Sequence, residues 1–284
     1  MRARGFRRPC LPLLAIVFLY LAASGSAAAA SRVFEKSGLT VEALVDGQGP
    51  LVVMIASLGR PAEDFDDLAR RLAAAGFTAV RLQPRGVGKS RGPMQGQTLM
   101  DLAGDAALAI ETLGGAPVVV LGHAYGQRVA RALAASRPEL VRAVVTLAAG
   151  GKVPIPDKAS AALRGCFDAT LSPEQHLENV RIAHFAPGHD PSPWRDGWHA
   201  ETAQLQSAAT KATPLANWWG AGRAPLLVVQ GLQDAIALPE NGRALKAELG
   251  ERVTLVEIDG AGHALLPEQP DATAKAVLDY LSKL

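Results

Sequence analysis

Apolar residues occur along this chain in two rhythms. Leu51-Val52-Val53-Met54-Ile55 and Pro117-Val118-Val119-Val120-Leu121 are unbroken apolar runs, the pattern of strands covered on both faces. Thr78–Leu82, Val141–Leu147, Leu226–Val229 and Val253–Ile258 read as further strands, and Arg32–Glu35 with Leu39–Val45 predict a hairpin around Ser37-Gly38. Between them the rhythm is helical. Phe65, Leu68 and Leu72 recur at helical spacing, with Glu63, Asp64, Asp66 and Asp67 early and Gly76 at the end. Leu99–Leu113 is a helix opened by Thr98 with Asp101 three residues on, a capping-box pattern. Gln127–Ser136, Ala244–Leu249 and Ala272–Leu281 complete the helices. Strand and helix alternate, so the expected fold is α/β: a mostly parallel central sheet flanked by helices on both faces.

The alternation breaks between about residues 150 and 224. This stretch holds all four tryptophans, Trp194, Trp198, Trp218 and Trp219, and many prolines. It reads as a cap-like insertion, or lid, over one end of the sheet. Its aromatics either pack it against the main domain or line an apolar substrate pocket, since ligand pockets are mostly apolar and lie between such layers.

The start of the chain has a different character. Arg2, Arg4, Arg7 and Arg8 precede an apolar run of 13 residues, Leu11 to Ala23, and then small residues through Ala30. Basic, apolar, small is the layout of a signal peptide, here residues 1–30. The run is short for a spanning helix, which needs about 20 residues; an uncleaved anchor is the other reading. The Arg7-Arg8 pair hints at twin-arginine export, although Pro9 and Cys10 fit that signal poorly. Cleavage before Ser31 would leave residues 31–284 as one domain with its insertion, secreted or periplasmic, with no stable membrane anchor. Lys and Arg number 29 and Asp and Glu 27 in the whole chain. So balanced a surface argues against nucleic acid as a partner. Cys10 and Cys166 cannot form a disulfide framework.

The candidate chemistry sits behind the strand Pro117–Leu121. Gly122-His123-Ala124-Tyr125-Gly126 joins it to a helix. Strand, sharp turn and helix, with glycines where the backbones must approach, is the frame of a nucleophile elbow. Gln230-Gly231-Leu232-Gln233-Asp234 follows a later strand, and Gly260-Ala261-Gly262-His263 follows the last one. On these motifs the chain resembles the α/β-hydrolase superfamily over nearly all of residues 31–284. The family pattern at the elbow is Gly-x-Ser-x-Gly, and this chain has Ala124 where the serine stands. The resemblance implies that Asp234 orients His263, that His263 moves protons, and that the N–H groups of Leu58 and Tyr125 form an oxyanion hole. It also implies a positive φ at Ala124. Two further departures are Ala56-Ser57, where the family often has His-Gly, and Gln83, where it often has an aspartate.

Alanine cannot form an acyl-enzyme, and three readings remain. His263 could activate water at the vacant nucleophile position, cleaving a small apolar ester or related acyl compound, or Ser57 could act as a displaced nucleophile rather than bond to nearby backbone. The site could bind a ligand without turnover, as a pseudoenzyme. The His263–Asp234 pair could instead be the base of a cofactor-free lyase or oxygenase. All three take a small-molecule substrate or ligand and need no cofactor. His123 and Tyr125 read as packed residues. His176, His184, His189 and His199 match no compact zinc spacing, so no metal is expected. Cys166 reads as buried and inert.

Overall fold

A computed structural model describes residues 29–284; the leader's residues 1–28, Cys10 among them, lie outside the described residues. The sheet is built from β1 (Ala30–Lys36), β2 (Leu39–Asp46), β3 (Leu51–Ile55), β4 (Thr78–Leu82), β5 (Val118–His123), β6 (Val141–Leu147), β7 (Leu226–Gly231) and β8 (Val253–Ile258). Their order across the sheet is β1-β2-β4-β3-β5-β6-β7-β8. The β1–β2 hairpin and the β2–β4 pair are antiparallel. From β4 onward every pairing is parallel.

Both faces are covered, which is why the central strands carry no polar alternation. Val53, Val80, Val120, Val144 and Val228 face one core, shared with α2 (Leu99–Leu113) and α3 (Tyr125–Ser136). Val52, Met54, Val119, Leu121, Val145 and Leu227 face the other, shared with α1 (Asp66–Ala74) and a C-terminal helix at Pro270–Leu281. The Thr98–Asp101 capping box is formed as the sequence predicts. The acids ahead of α1 divide differently from the expected single helix start. Ala62–Phe65 is a separate tight turn, in which Asp64 pairs with Arg60 at 2.7 Å and Glu63 accepts from the Gln83 amide at 2.8 Å.

Between β6 and β7 the chain forms α4 (Asp157–Gly165), α5 (Pro173–His184) and α6 (Ala200–Ala212). Val180, Ala183, Phe185 and Trp194 from this segment pack with Ile236 and Ala264 from the main sheet's loops. After β7 come α7 (Glu240–Leu249), α8 (Leu265–Glu268) and α9, the Pro270–Leu281 helix.

The chain places β4 on one side of β3 and β5 on the other. In parallel sheets the connections leaving such a pair diverge and open a crevice at the strands' carboxyl ends, where ligands bind. The residues at that crevice are Ala56-Ser57-Leu58 after β3 and Ala124-Tyr125 after β5. Gly126 holds the two connections together: a Cβ there would collide with the Ile55 backbone carbonyl. Gly126→Ala is therefore expected to lower the unfolding free energy by about 3 kcal/mol. Urea unfolding checks this, and an unchanged midpoint would contradict the packing described.

Candidate active site

Ala124 occupies the corner between β5 and α3 with φ 49° and ψ −106°. This is a conformation that L-residues avoid, and it costs roughly 1–3 kcal/mol. The corner is held by the Ala124 N–H donating to the Leu147 carbonyl at 2.9 Å and by the close packing of Gly122 against the first turn of α3. The strain of an elbow is retained although the hydroxyl is gone.

Asp234 and His263 come together from the loops after β7 and β8. The His263 Nδ1–H donates to Asp234 Oδ2 at 2.9 Å, with Oδ1 at 3.1 Å. Asp234 Oδ1 also accepts the backbone N–H groups of Ile236 at 2.8 Å and Ala237 at 2.7 Å. The carboxylate is thus fixed by its own turn before it meets the imidazole. A carboxylate accepts only, so Nδ1 carries the proton and Nε2 is left as a base. His263 is only 4% exposed, yet it lines a cavity of about 400 Å³ together with Ala124, Ser57, Leu58 and Tyr125.

Leu58 and Tyr125 bracket the elbow. Tyr125 begins α3, where N–H groups have no intrahelical acceptor. Neither its N–H nor that of Leu58 has an acceptor among the described residues. The loop that carries Leu58 is anchored next door, where Gly59 N–H donates to Gln206 Oε1 of α6 at 2.7 Å. Gln83 holds the other end, accepting from Ala62 N–H at 3.0 Å. Ser57 is buried, and its carbonyl accepts from Arg60 N–H at 3.1 Å. Its hydroxyl has no partner among the described residues and belongs to the cavity wall.

Several positioning residues carry no signal in the sequence. Glu268 accepts the N–H groups of Gly262 at 2.8 Å and Ala186 at 2.6 Å, tying the histidine loop to the end of α5. The His123 Nε2–H donates to the His263 carbonyl at 2.8 Å, and Ala264 N–H donates to the His184 carbonyl at 2.8 Å. Burial, aided by repulsion from His263, lowers the pKa of His123 to about 3 and that of His184 well below the usual imidazole range. Both therefore stay neutral beside the His263 ring. Nothing in the spacing of these residues separates them from ordinary loop positions.

The tryptophans serve packing. Trp194 and Trp198 enclose the Arg60 guanidinium, with ring centroids 4.8 and 4.6 Å away, and Trp194 stacks edgewise on His184. Trp218 and Trp219 do the same for Arg131 at 4.7 and 4.8 Å. None of the four lines the cavity beside Ala124. Its apolar wall is made by Val153, Pro154, Ile155, Leu163 and Ile236 instead. Cys166 is buried, and burial pushes its thiol up to about 12. Among the described residues no cluster of three His, Cys, Asp or Glu side chains could hold a metal ion. No helix among them is long and apolar enough to cross a membrane.

An elbow, a buried acid and a histidine follow one another in the chain order of a hydrolase, beside two N–H groups without acceptors and with a methyl at the elbow. The chain belongs to the alpha/beta hydrolase family, whose model matches residues 52–276. It is 27% identical over 275 residues to 2-(acetamidomethylene)succinate hydrolase of Mesorhizobium japonicum, covering 88% of this chain and 95% of that one. Among solved structures it is similar to the enol-lactonase of Burkholderia xenovorans (25% identity, TM-score 0.72, 88% of this chain and 100% of that one). The Exiguobacterium antarcticum esterase EaEST, at 19% identity, TM-score 0.76 and coverage of 89% and 100%, shares the fold.

Two outcomes follow from this geometry. Ala124→Gly removes the Cβ from a strained corner, at the cost of a more flexible unfolded chain. The net expectation is a stabilisation of about 1 kcal/mol in urea unfolding; a loss would show that the corner is unstrained. The neutral histidines set an acid limb. The unfolded chain protonates His123 near pH 6.5, while the folded chain resists until about 3. Their contribution is therefore fully present above pH 6.5 and lost as pH falls, by up to about 1.4 kcal/mol per pH unit per histidine. Unfolding midpoints measured from pH 7 to 4 should fall, and His123→Gln should flatten that fall. An equally steep limb in the variant would contradict the assignment.

Proposed function

We propose that this protein hydrolyses a small acyl compound with water as the direct nucleophile. His263, oriented by Asp234, acts as general base in place of the usual serine relay. The observation that carries the reading is the intact His263–Asp234 bond, opening on the same cavity as the Leu58 and Tyr125 N–H groups and the Ala124 methyl. Replacing a hydroxymethyl by a methyl leaves space where the attacking oxygen would otherwise be covalently held. His263 Nε2 takes a proton from water there as the oxygen attacks the acyl carbon. The developing oxyanion is held by the two N–H groups, whose stabilisation does not depend on side-chain identity. The imidazolium, paired with the Asp234 carboxylate, then returns its proton to the leaving group.

Hydrolytic relatives, among them the Mesorhizobium japonicum enzyme named for 2-(acetamidomethylene)succinate, support the reaction class. The apolar wall from Val153 to Leu163 supports a substrate with an apolar body. The basic–apolar–small leader supports action outside the cytoplasm, in the periplasm or medium. A second reading, a ligand binder without turnover, draws its support from the same methyl: Ala124 removes the one covalent step of the family's chemistry.

Without the serine, acceleration should be modest, on the order of 10³–10⁴-fold over the uncatalysed reaction. Ester turnover by the purified protein is expected to be slow, and His263→Ala to reduce it at least about tenfold. Ala124→Ser should raise it by about a hundredfold or more, because hole and base are already placed. Turnover indifferent to His263 would reject the hydrolytic reading. Ligand binding with no turnover in any variant would leave the binder.

A further inference from the structure

Buried arginines in this protein have partners. Arg60 pairs with Asp64, Arg81 with Asp46 and Asp66, and Arg85 with Asp105. Arg131 donates to the Gly150 and Trp219 carbonyls at 2.8 and 3.2 Å. Arg128, less deeply placed than these, differs from them. It is half-buried, and among the described residues it has neither a carboxylate partner nor a carbonyl acceptor; its guanidinium lies 5.5 Å from the Trp218 ring. Burial lowers its pKa from the usual guanidinium range, a cost that no acid offsets.

Arg128 faces the cavity beside Ala124. It stands three residues after Tyr125 on α3, so the two share a helix face about 4.5 Å apart along the axis. Its Nη2 reaches the turn of Gly150, where a Cβ would come within 3.7 Å of it and 3.4 Å of Ala237. On α6, Ser207, Thr210 and Lys211 form one face at helical spacing and line the same cavity, with Lys211 exposed. No aspartate or glutamate is among the cavity's lining residues. Arg131, one turn beyond Arg128, adds a second buried cation without an acid partner. The Asp234 carboxylate behind His263 is already taken up by the imidazole and by two backbone N–H groups, which leaves the Arg128 and Lys211 charges without an acid of the protein to meet.

We propose that Arg128, assisted by Lys211, binds a carboxylate on the substrate several bonds from the acyl carbon held at Ala124. The protein would then select half-esters or half-amides of dicarboxylic acids over neutral esters. A planar fork suits a carboxylate, which it can bind in two parallel hydrogen bonds. The term substrate rests on the hydrolytic reading above; the anion preference does not.

Binding can be tested without turnover, by calorimetric titration of monomethyl glutarate against dimethyl glutarate, with the His263→Ala protein run in parallel. The half-ester is expected to bind at least tenfold more tightly to both proteins. Arg128→Met, which keeps volume and removes charge, should erase the preference by weakening half-ester binding roughly 10–100-fold. Lys211→Ala should weaken it only a few-fold, and less at high salt. The thermal midpoint of ligand-free Arg128→Met should hold or rise, since a desolvated charge has gone; a fall with the preference retained would make Arg128 merely structural. Equal affinity for the two esters in the unmodified protein would overturn the proposal, as would an Arg128→Met preference like the parent's. Inorganic phosphate displacing the half-ester better than glutarate does would overturn the carboxylate assignment. If the preference persists while no ester is ever cleaved, the hydrolytic reading fails and the anion site stands.

Discussion

The hydrogen bond between the His263 ring and the Asp234 carboxylate is the constraint on which the site depends. It fixes which nitrogen carries the proton, and so which nitrogen can accept one. The bond is prepared from below. The acid is already held by the N–H groups of Ile236 and Ala237 before the imidazole reaches it. The histidine's backbone is clamped by His123 on one side and by the end of α5 on the other. Neutral His123 and His184 crowd the ring without adding charge. An apparatus of this kind constrains one side chain to one orientation, at a real cost in ordering entropy.

The elbow tells the same story from the other loop. Its strained backbone serves to present a side chain at the head of α3, and here the side chain is a methyl. The glycine contacts at Gly122 and Gly126 force the corner whatever residue occupies it, so strain alone does not prove use. Strain combined with an ordered dyad, two free N–H groups and a cavity of about 400 Å³ is the arrangement on which the proposed carbonyl chemistry rests. In the proposal, the apolar wall takes the body of a ligand and the cationic side its anion.

Much of the fold was legible in the sequence because both faces of the sheet are buried. Unbroken runs such as Val52–Met54 and Val118–Leu121 have no other use, and the Thr98–Asp101 box marks its helix start by chemistry. Starts without a side-chain cap were less legible. The helices at Tyr125, Glu240 and Pro270 begin two to four residues ahead of the sequence reading, since none has a capping hydrogen bond to announce it. At the site, Ala124, Asp234 and His263 were visible from glycine spacing and chain order. Gln206, Glu268 and Arg128 were not, because their roles depend on elements far apart in the sequence meeting in space. Tryptophan content left packing and pocket lining both open, and the large aromatic planes cover two buried arginines. Small branched residues and Ile236 form the pocket wall instead.

The central claim is that water, not a protein side chain, attacks the substrate beside Ala124. Intact-mass spectrometry of protein quenched during turnover of an activated ester tests it most directly. The account predicts an unmodified mass throughout, with product released linearly and without an initial burst. An acyl adduct accumulating on the protein and mapping to Ser57 would contradict it.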